Sequence, residues 1–183
     1  GLSYRFSSYL YRRQAIRDLA PRFGYNFEAR FRHTPFGQLK AGSIAGLQAQ
    51  LFLPGLFINH SLLLYAGYQE SRPEKYRFSN IISTSRGYTT SITGNKLVSL
   101  KVSYRLPLLY PDFHIGGLLY MKRIRANAFY DITNSSDPDP ASFYNSIGLD
   151  LVSDFHLLGL SIPISAGIRT IYLERDGSFV SSL

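Results

Sequence analysis

The stretch Asn95–Asp131 constrains the fold more than any other. It reads NKLVSLKVSYRLPLLYPDFHIGGLLYMKRIRANAFYD, two long alternating segments joined by a short turn that contains proline. In the first segment Val98, Leu100, Val102, Tyr104 and Leu106 fall on one face, with Ser99, Lys101, Ser103 and Arg105 on the other. In the second, Leu118, Tyr120, Ile124, Ala126, Ala128 and Tyr130 share a face opposite Arg123, Arg125, Asn127 and Asp131. Side chains of a strand alternate with a period of two, so each segment is a strand with one apolar and one charged face. Ordinary strands run to about five or six residues. A strand tilted across a bilayer needs about 9–11, and more where it extends past the membrane. The hairpin therefore predicts an all-β fold, an antiparallel transmembrane β-barrel of meander type, apolar outside and polar inside. A soluble sandwich would also alternate, with its apolar set toward a core; the strand length favours the barrel.

The rest of the chain repeats the pattern. Strands are expected over 1–11, 21–33, 39–53, 60–70, 142–153 and 159–173, and a further one begins at 178. Phe23, Tyr25, Phe27, Leu100, Val102, Tyr104, Leu149, Ile162 and Ile164 are expected to face lipid; Arg30, Arg32, Lys101, Arg123 and Arg125 are expected to face a lumen. Pro163 lacks a donor and belongs at an edge, a bulge or a strand end. Residues 12–20 form a polar connection with room for one helical turn, and Thr34–Gln38 a turn with Pro and Gly. Connections are short at 54–58, 107–112 and 154–158 and longer at 71–94 and 132–141, the alternation of turns and loops that membrane barrels have. The segment 71–94 is too long for an idle hairpin connection. The whole chain, 1–183, reads as one β-barrel domain or part of one, and its start inside an apparent strand fits a mature protein or a piece of a longer one.

Composition narrows the function. No run of 18 apolar residues exists, so no transmembrane helix is expected, which leaves a barrel open. Aromatics make up 15 % of the chain, in keeping with interfacial girdles. The net charge is +8, but the basic residues alternate with apolar ones instead of clustering, so they read as lumen and rim charges and not as a nucleic-acid surface. Cysteine is absent. His33, His60, His114 and His156 each fall at a strand end or turn, without metal-ligand spacing. No nucleophile elbow or phosphate-binding glycine loop is found. No catalytic residue, cofactor or metal is therefore expected. Some small membrane barrels modify lipids with rim Ser and His residues, but no pair here is singled out by spacing.

Three short motifs carry a resemblance. Ser85-Arg86-Gly87-Tyr88 lies in the long loop, Phe129-Tyr130-Asp131 follows on the long hairpin, and Ser146-Ile147-Gly148-Leu149-Asp150 comes on the next strand. In this order they resemble the C-terminal half of the bacterial surface antigen superfamily, the BamA-type outer-membrane insertases and two-partner secretion transporters. YRLPL and RANAFYD add to the likeness. Departures are Ser85 for a small aliphatic residue, Thr133 for a glycine after Asp131, and Asp150 for the second glycine of the next strand. The resemblance implies that this chain supplies the last eight or nine strands, about half of a larger barrel. It implies a bacterial outer membrane, or a related organellar one, and a role in inserting or translocating polypeptides. Partners would be outer-membrane lipid, polypeptide substrates, and a periplasmic domain or accessory proteins outside this sequence. It further implies that Arg86, with Gly87 and Tyr88, folds into the barrel to meet a carboxylate. Asp131 is the first choice and Asp150 the reserve, among the lumen charges Arg123 and Arg125, with Gly148 as the conformational glycine. A stand-alone eight-stranded barrel with a structural, adhesive or lipid-modifying role is the alternative.

Overall fold

A computed structural model of the chain describes residues 1–12, 19–34, 42–74, 77–89, 91–136, 142–158, 162 and 164–182. They form ten strands in one sheet: β1 (Leu2–Tyr11), β2 (Gly24–His33), β3 (Ser43–Pro54), β4 (Ser61–Arg72), β5 (Lys96–Leu109), β6 (Phe113–Ile115), β7 (Leu119–Ser135), β8 (Ser142–Leu157), β9 (Ile164–Leu173) and β10 (Ser178–Ser182). No helix occurs among the described residues. Every pairing is antiparallel, and the spatial order is β1-β2-β3-β4-β5-β7-β8-β9-β10, with β6 against β7. The meander follows from the sequence, because each strand is followed by a hairpin connection to its neighbour. β5, β7 and β8 run to 14, 17 and 16 residues. β1 pairs with β2 and β10 with β9, so the sheet is open and has two edges.

The two faces differ as the alternation requires. On one face Phe6, Leu100, Leu149 and Ile168 are at least half exposed, at 63, 50, 53 and 55 %. Of the residues expected to face lipid, Phe23, Tyr25, Val102, Ile162 and Ile164 are also exposed, while Phe27 and Tyr104 are half-buried. Arg30, Arg32, Lys101, Arg123 and Arg125 are all half-buried. The opposite face carries the buried polar residues Gln69, Ser99, Asp131, Thr133 and Ser146. Buried polar groups are stabilised where partners satisfy them; for Gln69, Asp131 and Thr133 those partners come from the segment 77–94, and Ser99 bonds Thr133.

Several boundaries differ from the sequence reading. The turn of the central hairpin is at 116–118, not 107–112. Pro107 stays in β5 at a register irregularity, β6 continues the pairing with β7, and Gly116 takes φ +52° at the true turn. A proline at a bulge costs no ladder hydrogen bond, so it did not end the strand. A second irregularity between Met121 and Arg123 inserts one residue and reverses the alternation. Tyr120 therefore pairs with His156 and leaves the face of Ile124 and Ala126. β8 continues to Leu157, so Asp154 is a strand residue and not part of a tight turn. β7 continues to Ser135, which shortens the polar loop expected at 132–141. The helical turn expected within 12–20, the core of the turn at 34–38, and Pro163 lie outside the described residues.

Candidate functional site

The segment after β4 turns back over the polar face of the sheet. Its first half docks on strands that precede it. The carboxamide of Gln69 accepts from the Ile81 amide at 2.6 Å and donates to Asn80 Oδ1 at 2.9 Å. The Ser83 amide donates to the Tyr65 hydroxyl at 2.8 Å. Gly46 on β3 leaves room for Ile81, whose Cγ2 would lie 2.8 Å from a Cβ placed there. From β5, Lys101 donates to Ser83 Oγ at 2.7 Å and to the Thr84 carbonyl.

The tip crosses to β7, β8 and β9. Arg86 grips Asp131 with a fork: Nε donates to Oδ2 and Nη2 to Oδ1, both at 2.7 Å. The Arg86 backbone N–H adds a third bond to Oδ2 at 3.1 Å, and Nη2 also reaches Ser103 Oγ at 3.0 Å. The guanidinium lies over the Phe129 ring, 3.6 Å from its centroid. Asp131 is wholly buried, while the Arg86 side chain keeps 23 % exposure. A carboxylate buried in that way must be ionised with a cation or neutralised; the planar fork supplies the cation with directional bonds. Gly87 takes φ +91°, a region that favours glycine, and lets the chain reverse tightly against Ile171 and Leu173. Tyr88 donates to the Asn145 carbonyl at 2.8 Å and packs edge-on against Tyr144. Burial, reinforced by Asp176, holds the Tyr88 phenol above its ordinary pKa, so it stays a donor. Apolar contacts frame the tip: Ile82, Ile92 and Leu97 on one side, Phe129, Ile171 and Leu173 on the other, with Tyr88 against both.

The positions that depart from the resembled motif find partners. Ser85 and Thr133 touch each other: the Ser85 amide donates to Thr133 Oγ1 at 2.9 Å, and the two hydroxyls are 2.8 Å apart. Asp150 does not meet Arg86. It is held by Arg169 at 2.6 and 3.1 Å and by Asn127 at 3.0 Å. Arg123 and Arg125 do not converge on the tip either. Both donate to Asp154, at 2.6 and 3.1 Å, and Ser165 completes that carboxylate. Gly148 lies under the Phe129 ring, where a Cβ would come within 2.4 Å of Cζ and 2.6 Å of the Thr170 carbonyl. Its role here is close approach, since its φ does not lie in the left-handed region.

Reading the sequence missed Asp154, Arg169, Gln69 and Tyr65. For Asp154 and Arg169 the signal existed: each lies on the polar parity of its strand, and the register sets Asp150 beside Arg169. Gln69 and Tyr65 carried no cue beyond that parity. Of the histidines, His60 bonds the Tyr104 hydroxyl at 2.8 Å, beside the 55–60 turn, and His156 stacks on Tyr120. Among the described residues no three potential ligands gather into a metal centre. The site is thus a loop fastened onto a sheet face by one buried fork and a set of hydrogen bonds. Set against known proteins, the chain matches no family model, no curated protein and no solved structure.

Proposed function

We propose that this chain is part of an outer-membrane β-barrel of the surface antigen type, whose inward-folded loop gates a lumen through which polypeptides are inserted or translocated. The observation that carries the reading is the loop tip: Arg86 forks Asp131 on the polar face of a sheet whose opposite face is apolar and exposed. A soluble protein would bury that apolar face; a lipid-facing wall leaves it bare. The open edges at β1 and β10 support a share in a larger ring over a self-contained eight-stranded one. The work proposed is non-enzymatic, done by shape, by the gate and by a seam between strands. Lipid is the surrounding partner and an unfolded polypeptide the substrate.

The test is reconstitution of the full chain into phosphatidylcholine vesicles, followed by the folding rate of an unrelated reporter barrel added in urea. Vesicles carrying the protein should fold the reporter several-fold faster than empty ones, and locking the loop to the wall by a cross-link between cysteines at positions 86 and 131 should abolish the gain. Equal rates in loaded and empty vesicles would refute the insertase role. Failure of lipid-phase quenchers to reach labels at Leu100 and Leu149 would refute the membrane reading itself.

A further inference from the structure

A second charged constellation lies on the polar face, nearer the short turns than the Arg86–Asp131 fork. Register sets Arg105 of β5 beside Asn127 of β7, Asn127 beside Asp150 of β8, and Asp150 beside Arg169 of β9. A cavity of about 320 Å³ opens over this row, with Arg86, Arg105, Arg125, Arg169, Asn127 and Asp150 in its wall.

Among the described residues the charges there do not balance. Each carboxylate already has its partners: Asp131 holds Arg86, Asp150 holds Arg169, and Asp154 holds Arg123 and Arg125. Arg105 has no ion pair or hydrogen bond to any described residue, though it is half-buried and other guanidinium groups line the same cavity. Arg125 and Arg169 spend Nε and Nη2 on their carboxylates, which leaves Nη1 of each for another acceptor. A partly desolvated cation among like charges is costly unless an anion joins it. Guanidinium forks match the oxygens of phosphate in pairs, and several forks around one small space favour a doubly charged oxyanion over chloride.

We propose that this cavity binds a phosphate group, with Arg105 as its principal ligand and Arg125 and Arg169 as flanking donors. The site needs only the fold described above and stands independently of the membrane reading. The phosphate could be free or part of a glycerophosphate headgroup, and the two are separable by experiment.

Isothermal titration of the refolded full chain with inorganic phosphate, against sodium chloride of equal ionic strength, reads the site directly. Saturable binding is expected, and Arg105→Gln should weaken it about tenfold or more, as loss of a charge-assisted bond implies. Arg5→Gln, which disturbs the pair with Glu28 on distant strands, should leave the constant unchanged. If Arg105→Gln does not fold, as judged by circular dichroism, Arg105→Lys keeps the charge but loses the fork and should still bind several-fold more weakly. Glycerol phosphate binding as tightly as phosphate would assign the headgroup source, and weaker binding the free ion. No saturable binding by the unaltered protein, or an unchanged constant in the folded Arg105 variant, would overturn the proposal. A phosphate effect on melting that persists in that variant would be a general salt effect and would overturn it as well.

Discussion

The fork between Arg86 and Asp131 makes a quantitative prediction, and its two halves are not equivalent. Asp131 has zero exposure beside Arg86, so Arg86→Ala would leave the more deeply buried charge behind, with only the residue-86 amide N–H still donating and Lys101 as its cross-strand neighbour. Asp131→Ala would leave Arg86 with 23 % exposure, the Ser103 hydroxyl and the Phe129 ring. Removing one partner of a buried pair costs about 3–5 kcal/mol, chiefly through the charge left behind. Arg86→Ala should therefore fall near the upper end and Asp131→Ala near the lower. The double variant strands neither charge, so it should be milder than the sum by a coupling of about 2–3 kcal/mol. The assay is urea unfolding of the full chain refolded in detergent micelles, followed by tryptophan-free far-ultraviolet circular dichroism and by the gel shift between unheated and heated samples. Coupling under about 0.5 kcal/mol, the usual error of additivity, would refute the lock. A larger loss from Asp131→Ala than from Arg86→Ala would refute the argument from burial even if coupling were found.

Three further outcomes are expected. Leu100→Arg or Val102→Arg, on the exposed apolar face, should cost about 2–4 kcal/mol in vesicles if that face meets lipid at mid-depth, and little if it meets water. Gly148→Ala forces a Cβ into the Phe129 ring and the Thr170 carbonyl, so it should destabilise by about 1–3 kcal/mol and loosen the Arg86 stack, read as faster proteolysis within the loop. Tyr88→Phe removes the bond donated to Asn145 and should cost about 0.5–1.5 kcal/mol in the same unfolding assay, without changing sheet content.

The strands were legible because alternation survives along most of them. Val98 to Tyr104 and Ile147 to Leu151 leave little freedom in which face is apolar. For the loop tip, the inward fold of Arg86 and the choice of Asp131 were what the resemblance implied; the local pattern, a planar cation beside a glycine in a long segment, leaves a solvated arginine equally open. What escaped was governed by register. One inserted residue near Met121 moved Tyr120 to the other face, and nothing local in Met121-Lys122-Arg123 announces it. The turn was misplaced because Pro107 and Pro111 are stronger breakers on paper than Gly116-Gly117, yet a proline on an irregular pair is tolerated. Asp150 was the reserve for Arg86 as a second inward carboxylate; its actual partner, Arg169, is 19 residues further along, and only the pairing of β8 with β9 brings them within 2.6 Å.

The route of the loop over the sheet also sets an order of events in folding. Each strand pairs with the one before it, and apart from the long segment between β4 and β5 the connections are short, so most of the sheet can zip up strand by strand at small entropic cost. The first half of the loop finds Gln69 and Tyr65 already in place, and Lys101 arrives directly afterwards. The second half must wait: Asp131 lies 45 residues beyond Arg86, and the Asn145 carbonyl 57 beyond Tyr88. Until β7 and β8 have docked, the tip has nowhere to bind, and the growing sheet carries an unfastened strap. Fastening it comes late, so disrupting Arg86 should speed the unfolding of the finished protein far more than it slows its assembly.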